Sequence, residues 1–233
     1  VDTFFHTYWM RTGDASGYET ATGRATALVD AAARAGVRRI VYLSVANPAL
    51  DSPYPYFRGK ARVEAAIAAS GVPAAIVRPA LVFGGESPLL DNLAWVLRRA
   101  PVFAVAGDGR YRVRPVHLDD VTRLCVDAGA TDDPTVTDAV GPDRPTYDEL
   151  VTAVRHAVGS RTRIVHLPTG AVWAASRVIG GLLRDRVLTR EELESTVEGL
   201  ADTDGPPTGE VSVMAWIREH GAGLGTRYRR AHR

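Results

Sequence analysis

Apolar and polar positions along the first third of the chain predict strands and helices in alternation. Residues 1–6 form an apolar run that is typical of a strand, and residues 20–36 carry apolar side chains at helical spacing. Residues 37–45 hold a continuous apolar run, as in a strand buried on both faces of a parallel sheet. A helix over 56–70 and a short buried strand over 74–79 complete the series.

This order predicts two strand–helix–strand units with right-handed crossovers. The fold class is therefore expected to be α/β, with a Rossmann-like parallel sheet covered by helices on both faces. Further along, residues 89–101 predict a helix and residues 112–118 a strand. Asp119 or Asp120 is expected to cap the helix that follows, and residues 135–140 predict another strand.

The last third of the chain predicts a smaller, mostly helical lobe. Thr146 and Glu149 have the spacing of a capping box before an amphipathic helix, and Thr189 and Glu192 repeat it. A lobe of this kind is expected over the carboxyl ends of the parallel strands, where ligands bind in open α/β sheets.

Composition narrows the class of protein without naming a function. With 45% hydrophobic residues, 24% charged residues and a net charge of +1, the chain is typical of a soluble globular protein and gives no reason to expect a nucleic-acid partner. The single cysteine, Cys125, indicates a reducing, cytoplasmic location. The most apolar stretch, residues 170–183, is too short to span a membrane; it predicts a buried or partner-facing helix or a helix on a membrane surface.

Three side chains near the predicted strand ends point to acid–base chemistry. Ser44 ends one strand, and Tyr56 and Lys60 lie four residues apart on the next helix, so they share a face. Lowering a tyrosine pKa by about three units takes roughly 4 kcal/mol, and an ammonium about 5 Å away supplies on the order of 3 kcal/mol. Ser44 would hydrogen-bond the substrate oxygen. The alternative is a chance spacing at a solvated helix end.

The segments that contain these residues resemble a known superfamily. The segments VRRIVYLSV and PYFRGKARVEAAIAASGVPAAIVRPALVFGG resemble the central part of short-chain dehydrogenases/reductases. The likeness is to the extended and atypical members, grouped with NAD-dependent epimerases/dehydratases and NmrA-like NAD(P)-binding proteins. It continues through GDGRYRVRPVHLDDV and GPDRPTYDELVTAV and covers roughly residues 1–160.

The resemblance implies a division of the chain. Residues 1–85, with 112–145 returning to them, would form the C-terminal portion of an NAD(P)-binding Rossmann-like domain. Residues 86–111 and 146–233 would form the substrate-binding lobe.

It also implies roles for individual residues. Tyr56 would be the catalytic acid/base, Lys60 would bind the nicotinamide ribose and lower the tyrosine pKa, and Ser44 would polarise the substrate. Further contacts with NAD or NADP would come from Pro79, Ala80, Val82, His6 and Thr7. No metal site is expected. His117 is interpreted as a packing residue.

One feature of the superfamily has no counterpart in the sequence. Its glycine-rich strand-to-helix turn, which lets a pyrophosphate approach a helix N-terminus, is not found here. The resemblance implies that Val1 falls in the family's fourth strand and that on the order of 70 residues would precede it. The first strand is then expected to be an unprotected sheet edge that favours association.

Three functions follow as expectations. The first is an NAD(P)-dependent oxidoreductase or epimerase/dehydratase with a Ser-Tyr-Lys site, inactive if the missing turn is essential. The second is a non-catalytic NAD(P)-binding redox sensor or an accessory subunit of a larger complex. The third is a remnant that binds no cofactor. The partner is a small-molecule substrate that the sequence does not name, and a homo-oligomer stays open.

Overall fold

The structure, a computed structural model, describes residues 2–10, 15–85, 87–183 and 188–229. The chain divides into two compact units. Unit 1 comprises Val1–Ala80 and Asp119–Ala139, and unit 2 comprises Leu81–Leu118 and Val140–Arg233.

Strands and helices alternate along unit 1, as the sequence predicts. The bounds of the strands and helices in both units are as follows. The strands are β1 (Thr3–His6), β2 (Arg39–Leu43), β3 (Ala74–Pro79), β4 (Leu81–Phe83), β5 (Val102–Ala106), β6 (Pro115–His117), β7 (Thr135–Ala139) and β8 (Arg163–Leu167). The α-helices are α1 (Ala15–Arg34), α2 (Pro55–Ala69), α3 (Pro88–Arg99), α4 (Leu118–Ala130), α5 (Tyr147–Ala157), α6 (Thr169–Leu183), α7 (Arg190–Val197) and α8 (Val213–His220). The strands β4 and β5 were not expected from the sequence.

The sheet of unit 1 is parallel, with the strand order β1-β2-β3-β7. His6 at the end of β1 lies beside Tyr42 of β2, so the carboxyl ends of these strands meet at one edge of the sheet. The predicted α/β class with a Rossmann-like parallel sheet is confirmed.

Helices pack on both faces of this sheet. On one face, α1 and α2 close over a core formed by Ala25, Val29, Ala32, Ile40, Tyr42, Val63 and Ile67, and Phe4 packs against this core. Adjacent side chains of a strand point to opposite faces, and Phe5 accordingly approaches Gly129 of α4. Thr3 Oγ1 also donates a hydrogen bond to the Gly129 carbonyl. Both faces of β1 are therefore partly covered, and its side chain at Phe5 remains 46% exposed.

Gly59 sets the close approach of α1 to α2. A Cβ at this position would lie 2.4 Å from Thr22 Oγ1 of α1 and 3.0 Å from Trp9 Cη2. Because glycine adds no atom there, the indole of Trp9 and the helix α1 can both rest on α2.

Unit 2 contains two short parallel pairs, β4 with β6 and β5 with β8. Its main core includes Phe83, Leu97, Leu150, Val154 and Ile217. Residues 112–145, predicted to return to the nucleotide-binding domain, are divided between the units, because β6 pairs with β4 inside unit 2.

Two of the three predicted helix N-terminal caps are found in the structure. Both predicted capping boxes form, Thr146 with Glu149 and Thr189 with Glu192. The cap predicted at Asp119 or Asp120 is wrong, because α4 begins at Leu118 and both carboxylates lie inside its first turn.

His117 is packed, in agreement with its interpretation from sequence. Its ring lies 5.2 Å from the ring of Phe83 and passes directly over Gly84. In the part of the chain that the structure describes, no helix is long and apolar enough to cross a membrane.

Candidate active site

Helix α2 presents three ionisable side chains in one stripe. Pro55 occupies its first turn, where a missing N–H costs no hydrogen bond. Tyr56, Lys60 and Glu64 then follow at intervals of four residues, so they lie on the same side of the helix. Both Lys60 and Glu64 are buried, which places this side toward the sheet.

Lys60 ends in an enclosure of aromatic rings. Its side chain is 3% exposed, and its Nζ donates a hydrogen bond of 2.8 Å to the carbonyl of Leu43, the last residue of β2. The same atom lies 4.5 Å from the ring centroid of Trp9 and 5.0 Å from that of Tyr42. Burial lowers the pKa of Lys60 from 10.5 to about 7, against the opposing effect of the Glu64 carboxylate.

From the sequence alone, Lys60 is expected to act on Tyr56 as a permanent positive charge. With a pKa of about 7, the ammonium and the neutral amine are comparably populated near neutral pH, so its effect on Tyr56 depends on pH.

Lys60 is also the only lysine in these 233 residues; every other long basic side chain is an arginine. A guanidinium keeps its charge when it is buried, whereas an amine can lose its proton. The one lysine thus stands at a position where the difference between the two side chains has a chemical effect.

Tyr56 is half-buried among aromatic rings. Its ring lies 5.7 Å from Trp9, 5.8 Å from Tyr18 and 5.3 Å from Phe57, in tilted or edge-on contacts. Trp9 therefore touches both members of the predicted pair, the ring of Tyr56 and the ammonium of Lys60.

Ser44 is bound to a residue that sequence reasoning missed. Its Oγ donates a hydrogen bond of 2.5 Å to Glu64 Oε1. Arg78 of β3 binds the same carboxylate through two bonds, Nε to Oε1 at 3.0 Å and Nη2 to Oε2 at 2.5 Å. The hydroxyl predicted to polarise a substrate thus directs its proton at Glu64; its role toward a substrate stays a prediction.

The remaining predicted contact residues are distributed over both units. His6 is 1% exposed, with Nε2 3.0 Å from the Ala25 carbonyl, and burial lowers its pKa. Thr7 follows at the exposed end of β1. Pro79 is the last residue of β3 and Ala80 follows it in unit 1, whereas Val82 lies in β4 of unit 2.

The polar atoms around Lys60 fit one part of a nicotinamide dinucleotide. Among the described residues, three buried atoms near Lys60 have no hydrogen-bond partner, namely His6 Nδ1, Trp9 Nε1 and Tyr42 Oη, and Tyr8 Oη, two residues after His6, also has none. Buried polar groups are normally paired, so such a cluster indicates a place for a polar ligand. Neutral donors and acceptors suit ribose hydroxyls and a carboxamide, and these four atoms offer no charge to a pyrophosphate. No group of three or more His, Cys, Asp or Glu that could hold a metal occurs within the ranges described.

Comparison with curated proteins gives three distant relatives. The chain is 27% identical over 136 residues to the NADH dehydrogenase [ubiquinone] 1 alpha subcomplex subunit 9 of Arabidopsis thaliana, over 57% of this chain and 34% of that protein. It is 27% identical to the 40 kDa subunit of NADH-ubiquinone oxidoreductase of Neurospora crassa, over 72% of this chain and 44% of that protein. It is 29% identical to the ceramide reductase of Caulobacter vibrioides, over 66% of this chain and 49% of that protein. The chain thus spans between a third and a half of the length of these relatives.

Solved structures share the fold. Triphenylmethane reductase from Citrobacter sp., complexed with NADP(H), superposes with a TM-score of 0.72 and 16% identity, over 94% of this chain and 75% of that one. A nucleoside-diphosphate-sugar epimerase from Staphylococcus aureus superposes with a TM-score of 0.71 and 15% identity, over 93% and 76%. MoeE5 in complex with UDP-glucose and NAD gives a TM-score of 0.63 and 21% identity, over 85% and 78%.

No protein-family profile matches the chain. Of these three neighbours, one is named as a reductase and one as an epimerase, two are complexed with NADP(H) or NAD, and all share the fold of this chain. The predicted resemblance to the extended and atypical short-chain dehydrogenases/reductases is therefore confirmed, and the chain shares their Rossmann-like fold.

Proposed function

We propose that this chain forms the nicotinamide-riboside side of the active site of an NAD(P)-dependent oxidoreductase of the short-chain dehydrogenase/reductase type. The observation that carries the proposal is the placement of Tyr56 and the only lysine, Lys60, on one side of α2. Lys60 is buried at the carboxyl end of β2, among polar atoms that lack partners.

The proposed roles follow from the chemistry of each side chain. Tyr56 exchanges a proton with the substrate oxygen, and Lys60 binds a ribose hydroxyl while its positive charge favours the phenolate. The dinucleotide, NAD or NADP, would supply or accept the hydride. A positioned acid–base group of this kind typically contributes about 10²–10⁴ in rate.

Fluorescence titration with NADH and NADPH tests the proposal first. It should use the longest natural polypeptide that contains these 233 residues, followed by a screen of carbonyl substrates. Tyr56→Phe should abolish turnover and leave dinucleotide affinity within about threefold, since only the hydroxyl is removed. Tyr228→Phe, in unit 2, is the matched control and should keep turnover. Turnover that survives Tyr56→Phe would overturn the assignment.

A second function is favoured by the hydrogen bond from Ser44 to Glu64. A hydroxyl committed to a buried carboxylate is not presented to a substrate, which suits a non-catalytic NAD(P)-binding protein. Two of the relatives are named as subunits of NADH dehydrogenase complexes, so an accessory subunit of a larger complex is the form we propose for this alternative. It predicts dinucleotide binding without turnover and an unchanged affinity in Tyr56→Phe.

The location of the protein stays a prediction. The single cysteine indicates a reducing compartment such as the cytoplasm, whereas two relatives are named as mitochondrial.

A further inference from the structure

Glu64 is a buried carboxylate with no part in the proposed proton exchange or dinucleotide binding. It is 9% exposed, and its two oxygens accept three hydrogen bonds, one from Ser44 and two from Arg78. Bonds from a guanidinium to a carboxylate in this bidentate form are among the stronger hydrogen bonds in proteins. They join α2, the end of β2 and the end of β3 at one point.

The carboxylate also faces the neighbourhood of Lys60. Glu64 follows Lys60 by four residues on α2, so the two side chains project from the same side of the helix. Its negative charge favours the protonated lysine, while burial disfavours it. The other titratable groups about Lys60 are His6 on β1, Tyr42 on β2 and Tyr56 on α2, and Arg78 on β3 lies beyond Glu64.

We propose that Glu64 is a positioning residue of this site: its carboxylate accepts the hydrogen bond of Ser44, and its charge favours the protonated form of Lys60 between the rings of Trp9 and Tyr42. This inference deepens the proposed function and rests on it for its consequence in catalysis.

The consequence concerns which group donates to a substrate oxygen. With its hydrogen directed at Glu64, Ser44 offers only lone pairs to a ligand. The donor to a substrate carbonyl is then Tyr56, and the charge on Lys60 that supports it depends on Glu64. A purely structural ion pair would add stability and leave the titration of Lys60 unchanged.

The single lysine makes the test direct. With ¹⁵N-labelled lysine and a lysine-free tag, one side-chain signal reports the titration of Lys60 in the folded protein. The wild type should titrate near pH 7. Glu64→Gln should move the midpoint down by roughly one to two pH units, because it removes a charge one helical turn away. Glu19→Gln is the matched control: Glu19 also pairs with an arginine, Arg62, but on the surface of the same unit. An equal midpoint in Glu64→Gln and Glu19→Gln would overturn the proposal.

A second variant covers the case in which Glu64→Gln does not fold. Glu64→Gln combined with Arg78→Met removes both charges of the buried pair, a replacement that buried ion pairs often tolerate. The midpoint should still fall, because the charge that acts on Lys60 from one helical turn away is Glu64. A midpoint that rises or stays constant in this double variant contradicts the proposed coupling.

The pH profile of NADH and NADPH affinity, measured on the longest natural polypeptide that contains these 233 residues, separates this inference from the proposed function. If the role of Glu64 and the proposed function are both correct, dinucleotide affinity should change with pH around the midpoint of Lys60. In Glu64→Gln this change should occur at a lower pH than in the wild type. Shifted lysine titrations without any dinucleotide binding would sustain the role of Glu64 and overturn the oxidoreductase. Dinucleotide binding together with an unshifted Lys60 titration would support the proposed function and overturn the role of Glu64.

Discussion

The ammonium of Lys60 lies 4.5 Å from the centre of the Trp9 indole ring, and the same indole meets the ring of Tyr56 at 5.7 Å. One aromatic side chain from the loop after β1 therefore contacts both members of a pair that is four residues apart on α2. The pair lies in an aromatic enclosure that the sequence spacing alone does not describe.

The burial of Lys60 should appear as a pH-dependent stability. Its pKa is near 10.5 when the chain is unfolded and about 7 when it is folded. Between these values the unfolded state binds the extra proton, so the free energy of unfolding rises with pH, by up to about 1.4 kcal/mol per pH unit. The destabilisation caused by burying the charged Lys60 is therefore fully present below pH 7 and is lost above pH 10.5.

Urea melts of the wild type and Lys60→Met at several pH values measure this effect. Methionine has no proton to lose, so the difference between the two proteins should shrink as the pH rises from 7 to 10. Lys60→Arg keeps a charge throughout and should be destabilised without recovery at high pH. A pH-independent difference between wild type and Lys60→Met would show that the amine is charged in the folded protein.

Gly59 is expected to tolerate no side chain. Gly59→Ala would place a methyl group 2.4 Å from Thr22 Oγ1 and 3.0 Å from Trp9, and we expect a loss of about 1–3 kcal/mol in unfolding free energy. Gly23→Ala is the matched control, because a Cβ there meets no atom within 4 Å inside α1. It should stabilise the protein by up to about 1 kcal/mol. Equal effects of the two substitutions in thermal melts would contradict this account.

The capping box at the start of α5 should contribute measurably to unit 2. Thr146 Oγ1 accepts from the backbone N–H of Glu149, whose carboxylate accepts from the N–H of Thr146. Thr146→Ala should lower the unfolding free energy by about 1 kcal/mol, and Thr146→Asp should retain most of it. If Thr146→Ala and Thr146→Asp melt alike, the cap does not stabilise the helix.

The edge of the sheet at β1 is expected to favour self-association. β1 ends the strand order of the four-stranded sheet, and Phe5 on it is 46% exposed. Phe5→Lys should reduce light scattering of concentrated protein, because charged side chains block edge pairing. Val136→Lys, on the strand at the opposite edge, is the control. Scattering that falls only in Val136→Lys would assign the association to β7.

The sequence predicted the sheet well because its signals are local. Apolar runs and capping boxes are patterns within single elements, so β3 has the bounds expected for it, and both threonine capping boxes form. The unexpected β4 and β5 are short strands whose pairing partners, β6 and β8, come later in the chain. Their identity as strands depends on contacts that no local pattern encodes.

The site was predicted only in part, for the same reason. Tyr56 and Lys60 could be found because they share a helix. Glu64 continues their spacing and was overlooked, since a glutamate on an amphipathic helix usually faces solvent. Its burial depends on two residues that are distant in sequence. Ser44 directly follows β2, 20 residues before Glu64, and Arg78 lies on β3, 14 residues after it.

Because Lys60 is the single lysine in these 233 residues, proteolysis after lysine can measure the local opening of α2. A protease that cleaves only after lysine has a single substrate bond in these 233 residues, between Lys60 and Ala61, and that bond lies inside a packed helix. Cleavage there requires α2 to open, so its rate measures the free energy of that opening when reclosing is faster than proteolysis. A ligand that occupies the enclosure around Lys60 would slow the cut in proportion to its affinity, without any knowledge of the reaction it takes part in.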